Sequence, residues 1–454
     1  MENLAIAGGS ILTMNPARDI IQGGTVLVEN GRISAILPPG APAPAGCRVV
    51  DARGCAVMPG LVNAHTHLYS AFGRSLSFGE DLISWLATQK GVIAQFDDED
   101  FRLCIELGLA LNLKSGNTCV VDAMALPAAS GNRLYREALG LARRYKLLYV
   151  LARAYTNQMN SPDYIEDLAT IERLSSELIE EFHGSADGRL RIELSPNLPW
   201  ALSLEGFRMT RRLADRYQVG IHMHTSESAA YAGLIEKAFG HRSNIKVYQD
   251  GGCLGPDVQL LSCAHLTDEE FELIAATGTR VVLDPISGTT IGTGEPPTLK
   301  VAGNGNPSAL ATNGMASAGA QDMFESMKMM LSLARVKAQD PGAISVRRAL
   351  EMATIEGARA LGLDKEIGSL EPGKRADLIC VDIDNVFCAP ALDIESTIAF
   401  SCTSRDVRDV IVNGEIAVRD RKLLIADEAT LTAQAMARAS AAYERAKAAA
   451  GRNR

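Results

Sequence analysis

Short apolar runs alternate with helix-like segments through the middle of this chain, and this alternation limits the folds it can adopt. Helical periodicity is clear between the runs, for example from Asp98 to Leu113, Leu134 to Lys146 and Gly206 to Tyr217. The eight candidate strands end at His67, Asp122, Tyr155, Asn197, His224, His265, Pro285 and Asn313. Eight strand-then-helix units predict an α/β fold, a (β/α)8 barrel of the TIM type, over residues 57–365.

The two ends of the chain have a different pattern. Residues 4–56 and 369–423 contain short alternating runs, and Asn-Gly pairs at 30–31 and 413–414 separate neighbouring runs. Asn-Gly between two such runs is a hairpin signal. We therefore predict one small β-sandwich domain from residues 1–56 and 366–425. An Ala-rich, charged helix is expected over 426–454, packed on the body or on a second subunit.

Composition excludes several classes of function. The net charge of −9 over 454 residues offers no basic surface for nucleic acid. Apolar runs are too short to span a bilayer, and the first residues lack the basic region of a signal peptide. The nine cysteines are scattered, as is typical of reduced thiols in the cytosol. We expect a cytoplasmic enzyme that binds a small molecule, neither nucleic acid nor membrane, and forms a homodimer or larger homo-oligomer.

His-x-His pairs stand at the ends of two predicted strands. His65 and His67 follow Pro59-Gly60, and His222 and His224 end a second apolar run. Side chains two residues apart on a strand point to the same side, and neutral imidazole is the usual ligand for zinc or iron.

One divalent metal is therefore expected on His65, His67 and His224, zinc first and Fe²⁺ as the alternative. Three ligands leave one position for water. His222, one step deeper in the barrel, is the alternative third ligand, although a supporting role fits it better. Glu227 follows His224 closely enough to move the protons of that water.

These segments resemble the amidohydrolase superfamily, in the branch of deaminases and triazine hydrolases. The resemblance rests on Pro-Gly-x-x-x-x-His-x-His at 59–67 and His-x-x-Glu at 224–227, with further similarity at 81–86, 115–118, 266–270 and 368–377. It implies a metal-dependent hydrolase built as a barrel with a β-sandwich from the chain ends. The reaction expected is displacement of an amino, halide or sulfur substituent from a ring carbon of a nitrogen heterocycle. Hydrolysis of a cyclic amide or ureide is the alternative.

The chain departs from that family in its proton-transfer residues. Where the family has a metal-binding aspartate at the end of the eighth strand, this chain has Asn313, which is not a base. Ser262 stands where the sixth strand usually carries a histidine, and Asn197 where the fourth often has a substrate-contacting one, so both are expected to contact the substrate. His265, three residues after Ser262, is expected either at the pocket mouth, as a catalytic group, or beside the following helix.

Three interpretations of Asn313 remain open at this point. The enzyme belongs to a natural branch in which Glu227 handles the protons, or Asn313 is an engineered substitution of aspartate, or the barrel is a catalytically impaired metal- and ligand-binding protein. We expect Trp85 to form a pocket wall suited to a planar ring. Gln95 is a further candidate for substrate contact, although solvent-facing helix positions are the default for Gln89 and Gln95.

Overall fold

The computed structural model describes residues 2–76 and 78–452 of the chain. Its strands are β1 (Leu4–Leu12), β2 (Ile20–Glu29), β3 (Arg32–Leu37), β4 (Arg48–Asp51), β5 (Cys55–Pro59), β6 (Leu61–Thr66), β7 (Asn117–Met124), β8 (Leu148–Tyr155), β9 (Leu190–Pro196), β10 (Ile221–Thr225), β11 (Val258–Ser262), β12 (Arg280–Leu283), β13 (Ser308–Leu310), β14 (Leu378–Asp382), β15 (Val407–Val412), β16 (Glu415–Arg419) and β17 (Lys422–Leu423).

The helices are α1 (Leu82–Ile93), α2 (Asp98–Lys114), α3 (Arg133–Tyr145), α4 (Leu168–Phe182), α5 (Ser185–Gly188), α6 (Leu204–Tyr217), α7 (Ala230–Phe239), α8 (Asn244–Asp250), α9 (Asp268–Thr277), α10 (Pro285–Ile291), α11 (Thr298–Gly303), α12 (Met315–Ala318), α13 (Met323–Ala338), α14 (Val346–Met352), α15 (Ile355–Ala360), α16 (Ile394–Phe400) and α17 (Glu428–Arg452). Short 3₁₀ helices lie at Leu68–Gly73, Ala128–Ser130, Pro162–Tyr164, Pro199–Ala201 and Ser404–Asp406.

Strands β6 to β13 form a parallel sheet in chain order, which closes on itself. At the closure the backbone N–H of Asn313 donates to the carbonyl oxygen of His65 at 3.0 Å. A further bond runs from the Thr312 N–H to Asn63 Oδ1, also at 3.0 Å. The carboxyl ends of all eight strands therefore face one side, where a barrel of this kind places its active site.

The chain ends form a second, mixed sheet in the order β17-β16-β15-β14-β5-β1-β2-β3, with β4 paired to β1. Asn30 and Gly31 join β2 to β3 with φ of 50° and 76°, and Asn413 and Gly414 join β15 to β16 with φ of 53° and 71°. Two successive positive φ values suit a hairpin turn and favour Asn-Gly. The two turns also meet, because the Gly414 N–H and the Gly31 carbonyl both bond to the backbone of Ala376. The predicted fold class, a (β/α)8 barrel with a small β-domain from both termini, is confirmed.

Gly60 lies between the two sheets, since β5 belongs to the terminal sheet and β6 to the barrel. A side-chain carbon at Gly60 would come within 2.0 Å of Thr118 Oγ1, so only glycine fits there. This close approach brings β6 against β7 and starts the strand that carries His65. The glycine before the histidines is thus a packing requirement of the barrel.

Helix α17 packs against helix α2 at the side of the barrel. Arg438 Nε and Arg445 Nη2 each donate to the buried carboxylate of Asp100, both at 2.7 Å. A carboxylate that is buried with two guanidinium partners keeps its hydrogen bonds satisfied. The helix lies on the body of its own chain, and residues 453 and 454 of the predicted range fall outside the described part.

Candidate metal centre and substrate pocket

Three histidine side chains meet at the carboxyl ends of β6 and β10. His65 Nε2 lies 3.1 Å from His67 Nε2, which lies 3.4 Å from His224 Nε2. One ring nitrogen from each of the three lies within 4.8 Å of the others. His65 and His224 are buried. Side chains far apart in sequence therefore converge as a set of nitrogen ligands of the kind that zinc prefers.

The partners of His67 fix which of its nitrogens carries the proton. Its Nδ1 lies 2.5 Å from the carbonyl oxygen of Ala123, which can only accept. The proton of the neutral ring must therefore sit on Nδ1, and a lone pair remains on Nε2. That lone pair points to the other two histidines.

A chain of buried side chains fixes His65 in the same way. Gln259 Nε2 donates to Glu193 Oε1 at 3.1 Å, so Gln259 Oε1 is left to accept from His222 Nδ1 at 3.0 Å. His222 Nε2 then accepts from His65 Nδ1 at 2.7 Å. The lone pair of His65 is consequently on Nε2, directed at the lone pair of His67. Two facing lone pairs at 3.1 Å repel each other unless a cation lies between them.

Burial keeps these imidazoles neutral. It lowers the pKa of His65 and of His224 well below the usual 6.5, and the neighbouring histidines add to the effect. Burial likewise lowers the pKa of His67 and of His222 to about 4. Neutral rings are the form that binds metal. The chemistry of the set therefore fits a divalent cation held by His65, His67 and His224, with His222 supporting His65.

Glu227 faces the same pocket as His67 and His224. Its side chain is buried, and Oε2 accepts a hydrogen bond from the Tyr231 hydroxyl at 2.8 Å. Burial raises the pKa of the Glu227 carboxyl, and the bond from Tyr231 opposes part of that rise. A carboxyl shifted in this direction is suited to accept and return a proton near neutral pH.

Asp284 is a second buried carboxylate that the sequence pattern did not bring to attention. It follows β12 directly, and its Oδ2 accepts from Asn313 Nδ2 at 2.7 Å. Burial first, and the charge of Glu227 second, raise the pKa of Asp284 to about 8. Its position immediately after a barrel strand was the available signal, because the residues that follow these strands face the active site.

The pocket in front of the histidines has an empty volume of about 870 Å³ including its mouth. Its walls are mainly apolar and aromatic, with a few amides and hydroxyls: His67, Tyr69, Ser70, Leu82, Trp85, Leu86, Gln89, Lys90, Ile93, Ala125, Asn160, Tyr164, Asn197, Leu198, His224, Glu227, Tyr231, Ser287, Ile291, Asn313 and Ser317. Such a lining is typical of a site for a small, largely flat ligand.

Three wall residues present unused hydrogen-bonding atoms. Trp85 Nε1, Asn197 Oδ1 and Gln89 Oε1 are buried and have no hydrogen-bond partner among the described residues. Buried polar atoms normally have partners, and these three lack one within the described part of the chain. Trp85 and Asn197 both line the pocket, and their contact with a substrate stays a prediction. Gln89, assigned by default to solvent, is buried against the pocket, whereas Gln95 is not among its lining residues.

The structure places Ser262 and His265 away from this lining. Ser262 and the next residue, Cys263, have φ of 73° and 60°, which turns the backbone sharply at the end of β11. His265 is exposed, and its Nε2 lies 2.5 Å from the Thr293 carbonyl, beside a separate surface cavity. The expected position of His265 at the pocket mouth is corrected: His265 is absent from the pocket lining and lies beside the start of α9, with Thr267 and Glu270.

The sequence profile of the amidohydrolase family matches residues 56–417 of this chain. The chain belongs to this family. It is 30% identical to the 5'-deoxyadenosine deaminase of Methanosarcina barkeri, over 94% of this chain and 95% of that protein. It is 32% identical to the 5-methylthioadenosine/S-adenosylhomocysteine deaminase of Symbiobacterium thermophilum, over 92% and 94%.

Solved structures share the whole fold. An adenosine deaminase from Xanthomonas campestris with bound zinc superposes with a TM-score of 0.88 at 27% identity, covering 98% of each chain. An atrazine chlorohydrolase from Arthrobacter aurescens in complex with zinc superposes with a TM-score of 0.89, covering 96% of this chain and 99% of that one. Its identity is 22%, so it supports the fold alone.

The predicted family and enzyme class, a metal-dependent hydrolase of the amidohydrolase type, are confirmed by these comparisons. Its relatives are enzymes that act on ring substituents, as the sequence predicted for this chain. Within the described residues, no helix combines the length and the apolar character needed to cross a membrane. The homo-oligomer and the cytoplasmic location stay predictions.

Proposed function

We propose that this protein is a zinc-dependent deaminase that removes the exocyclic amino group of an adenine nucleoside or a similar nitrogen heterocycle. The observation that carries the proposal is the convergence of three neutral histidines and Glu227 on one apolar pocket. The two deaminase relatives, each similar over more than nine-tenths of its length, favour an amino leaving group over halide or sulfur.

His65, His67 and His224 are the residues that would hold the metal. Their facing lone pairs and lowered pKa values support a cation at this place. Zinc, when bound, would supply a Lewis acid that makes a water molecule nucleophilic at neutral pH.

Glu227 is the proton carrier in this proposal. A new bond joins the water oxygen to the ring carbon, and Glu227 takes a proton from the water and delivers it to the adjacent ring nitrogen. Glu227 then takes the remaining proton of the new hydroxyl group and passes it to the amino group. The carbon–nitrogen bond breaks, ammonia leaves, and a carbonyl takes its place. The Tyr231 hydroxyl holds the carboxylate during these transfers.

The pocket walls would recognise the ring. Trp85 offers an aromatic face and an indole N–H, and the Asn197 amide oxygen can accept from ring N–H or sugar hydroxyl groups. The amide of Asn313 also lines the pocket and takes no proton in this scheme.

The test is ammonia release by zinc-loaded protein from 5'-deoxyadenosine, 5'-methylthioadenosine, S-adenosylhomocysteine and guanine. A cyclic ureide tests the alternative reaction, and its ring opening is followed by the appearance of the new carboxylate, since no ammonia leaves. Glu227→Gln should retain zinc and lose roughly a hundredfold in turnover, the usual contribution of an acid–base group. Glu236→Gln, on the exposed face of α7, is the matched control and should behave as wild type.

Each contrary result has a defined meaning. Turnover of the ureide alone would replace deamination by ring amide hydrolysis. Zinc binding without turnover on any of these compounds would support the impaired, ligand-binding barrel. Near-normal turnover in Glu227→Gln would remove Glu227 from the proton path.

A further inference from the structure

Asp284 and Asn313 form a buried pair across the ends of β12 and β13. The carboxylate accepts from Asn313 Nδ2 at 2.7 Å, and Asn313 Oδ1 accepts from the Gly314 N–H at 2.7 Å. Exchanging the amide oxygen and nitrogen would set two acceptors, and likewise two donors, against each other. The amide therefore has a single orientation, fixed by Asp284 on one side and by the backbone on the other.

The pair lies beside the proposed metal centre. The Asn313 N–H donates to the His65 carbonyl, and the backbone of Gly314 lies against the side chain of His67. Asn313 lines the pocket with His67, His224 and Glu227. Glu227 and the buried Asp284 are also close enough to affect each other's charge. A divalent cation on the three neutral imidazoles would lower the raised pKa of Asp284 again and favour its ionised form. The two carboxylates would then balance the two charges of the cation.

We infer that Asp284 is a positioning residue of this site, and that Asp284 and Asn313 act as one unit of a carboxylate bonded to an amide, carrying one negative charge beside the metal. The inference rests on the proposed function. The carboxylate and the amide can then exchange positions without loss of the site. The site requires one negative charge, one hydrogen bond between the two side chains and one defined amide orientation. Asn313 is accordingly half of a complementary pair.

A double-mutant cycle tests the pair. The variants are Asp284→Asn, Asn313→Asp and the exchanged double variant, and the probe is zinc itself, measured by competition with a chelator. Asp284→Asn keeps a hydrogen-bond acceptor but removes the charge, so zinc affinity should fall about tenfold. In the Asn313→Asp background the same substitution should cost little, because the amide introduced at position 284 can donate to the carboxylate introduced at position 313. The difference between backgrounds should be about tenfold, within the range measured for contacting residues.

Turnover on 5'-deoxyadenosine is the second readout, and the exchanged variant should recover at least tenfold over Asp284→Asn. The control is Glu356→Gln, which removes a buried carboxylate at the opposite end of β13, where Glu356 accepts from the Ser308 N–H at 3.0 Å. It should lower thermal stability and leave zinc affinity unchanged.

Equal losses of zinc affinity from Asp284→Asn in both backgrounds would overturn the inference and leave the proposed deaminase intact. Wild-type zinc affinity in Asp284→Asn would do the same. A wild-type protein that holds no zinc would overturn the metal centre and the inference together, and is therefore a distinguishable result. Thermal unfolding of each variant, followed by circular dichroism, verifies that losses of zinc occur in folded protein.

Discussion

Gln259 is not one of the proposed metal ligands, but it bonds to His222, which bonds to the ligand His65. We therefore expect Gln259 to affect the affinity of the site for metal. It is buried, and it connects His222 to Glu193 through bonds of 3.0 Å and 3.1 Å. Gln259→Leu has a similar volume and no polar atoms. It should leave the His222 N–H without its acceptor and free that ring to adopt the other tautomer.

Two magnitudes follow from this geometry. A buried donor left unpaired costs about 1–3 kcal/mol, so the free energy of unfolding of the metal-free protein should fall by about that amount. If His222 takes the other tautomer, it donates to His65 Nδ1 and shifts the His65 proton onto Nε2, which then cannot bind metal. Loss of such an outer hydrogen bond typically weakens metal affinity about tenfold to a hundredfold.

The assay is zinc affinity by chelator competition, beside urea unfolding of the metal-free protein. Thr210→Val is the matched control, because Thr210 is buried and hydrogen-bonded to the Tyr155 hydroxyl at 2.8 Å with no bond to the histidines. It should lose stability and keep zinc affinity. Wild-type zinc affinity in Gln259→Leu, with lowered stability, would refute the argument that this chain of bonds fixes His65.

Two further predictions concern the histidines. His224→Ala should lose most bound zinc and all turnover, whereas His265→Ala should lose neither, because His265 lies outside the pocket; elemental analysis and turnover check both, and a zinc-free His265→Ala would contradict the assignment. The pKa of His67 is about 4 in the folded protein against 6.5 for a free histidine, so the folded state resists protonation. Stability of the metal-free protein from this group should therefore rise with pH between about 4 and 6.5 and be lost on acidification, as urea unfolding across that range would show against His67→Gln; equal pH slopes in the two proteins would contradict it.

The (β/α)8 barrel could be predicted from the sequence because the periodicity of apolar residues is a local property of each strand and helix. Helix α2 was expected from Asp98 to Leu113 and extends from Asp98 to Lys114. Its bounds were predictable because the apolar spacing and the acidic first turn both lie within this one segment. Sequence also placed His65 and His67 on one face, because successive strand side chains alternate. Glu227 followed from its spacing after His224.

The tertiary structure alone decided which distant residues meet. His65 and His222 are bonded across 157 positions, and Asp284 pairs with Asn313, which follows the neighbouring strand β13. No local pattern encodes these distances, since they depend on how eight strands close into a barrel. The position of His265 depended on a backbone turn with positive φ at two residues other than glycine, which side-chain identity does not reveal.

What the sequence by itself determined is the repeating architecture and the ligand types, because both depend on spacing within one strand or helix. The tertiary structure decided the proton positions on His65 and His67, the choice of Gln89 over Gln95 at the pocket, and the partner of Asn313. Each depends on the atom that a neighbouring element presents at hydrogen-bond distance, and the free energy of a buried polar group is set by that partner.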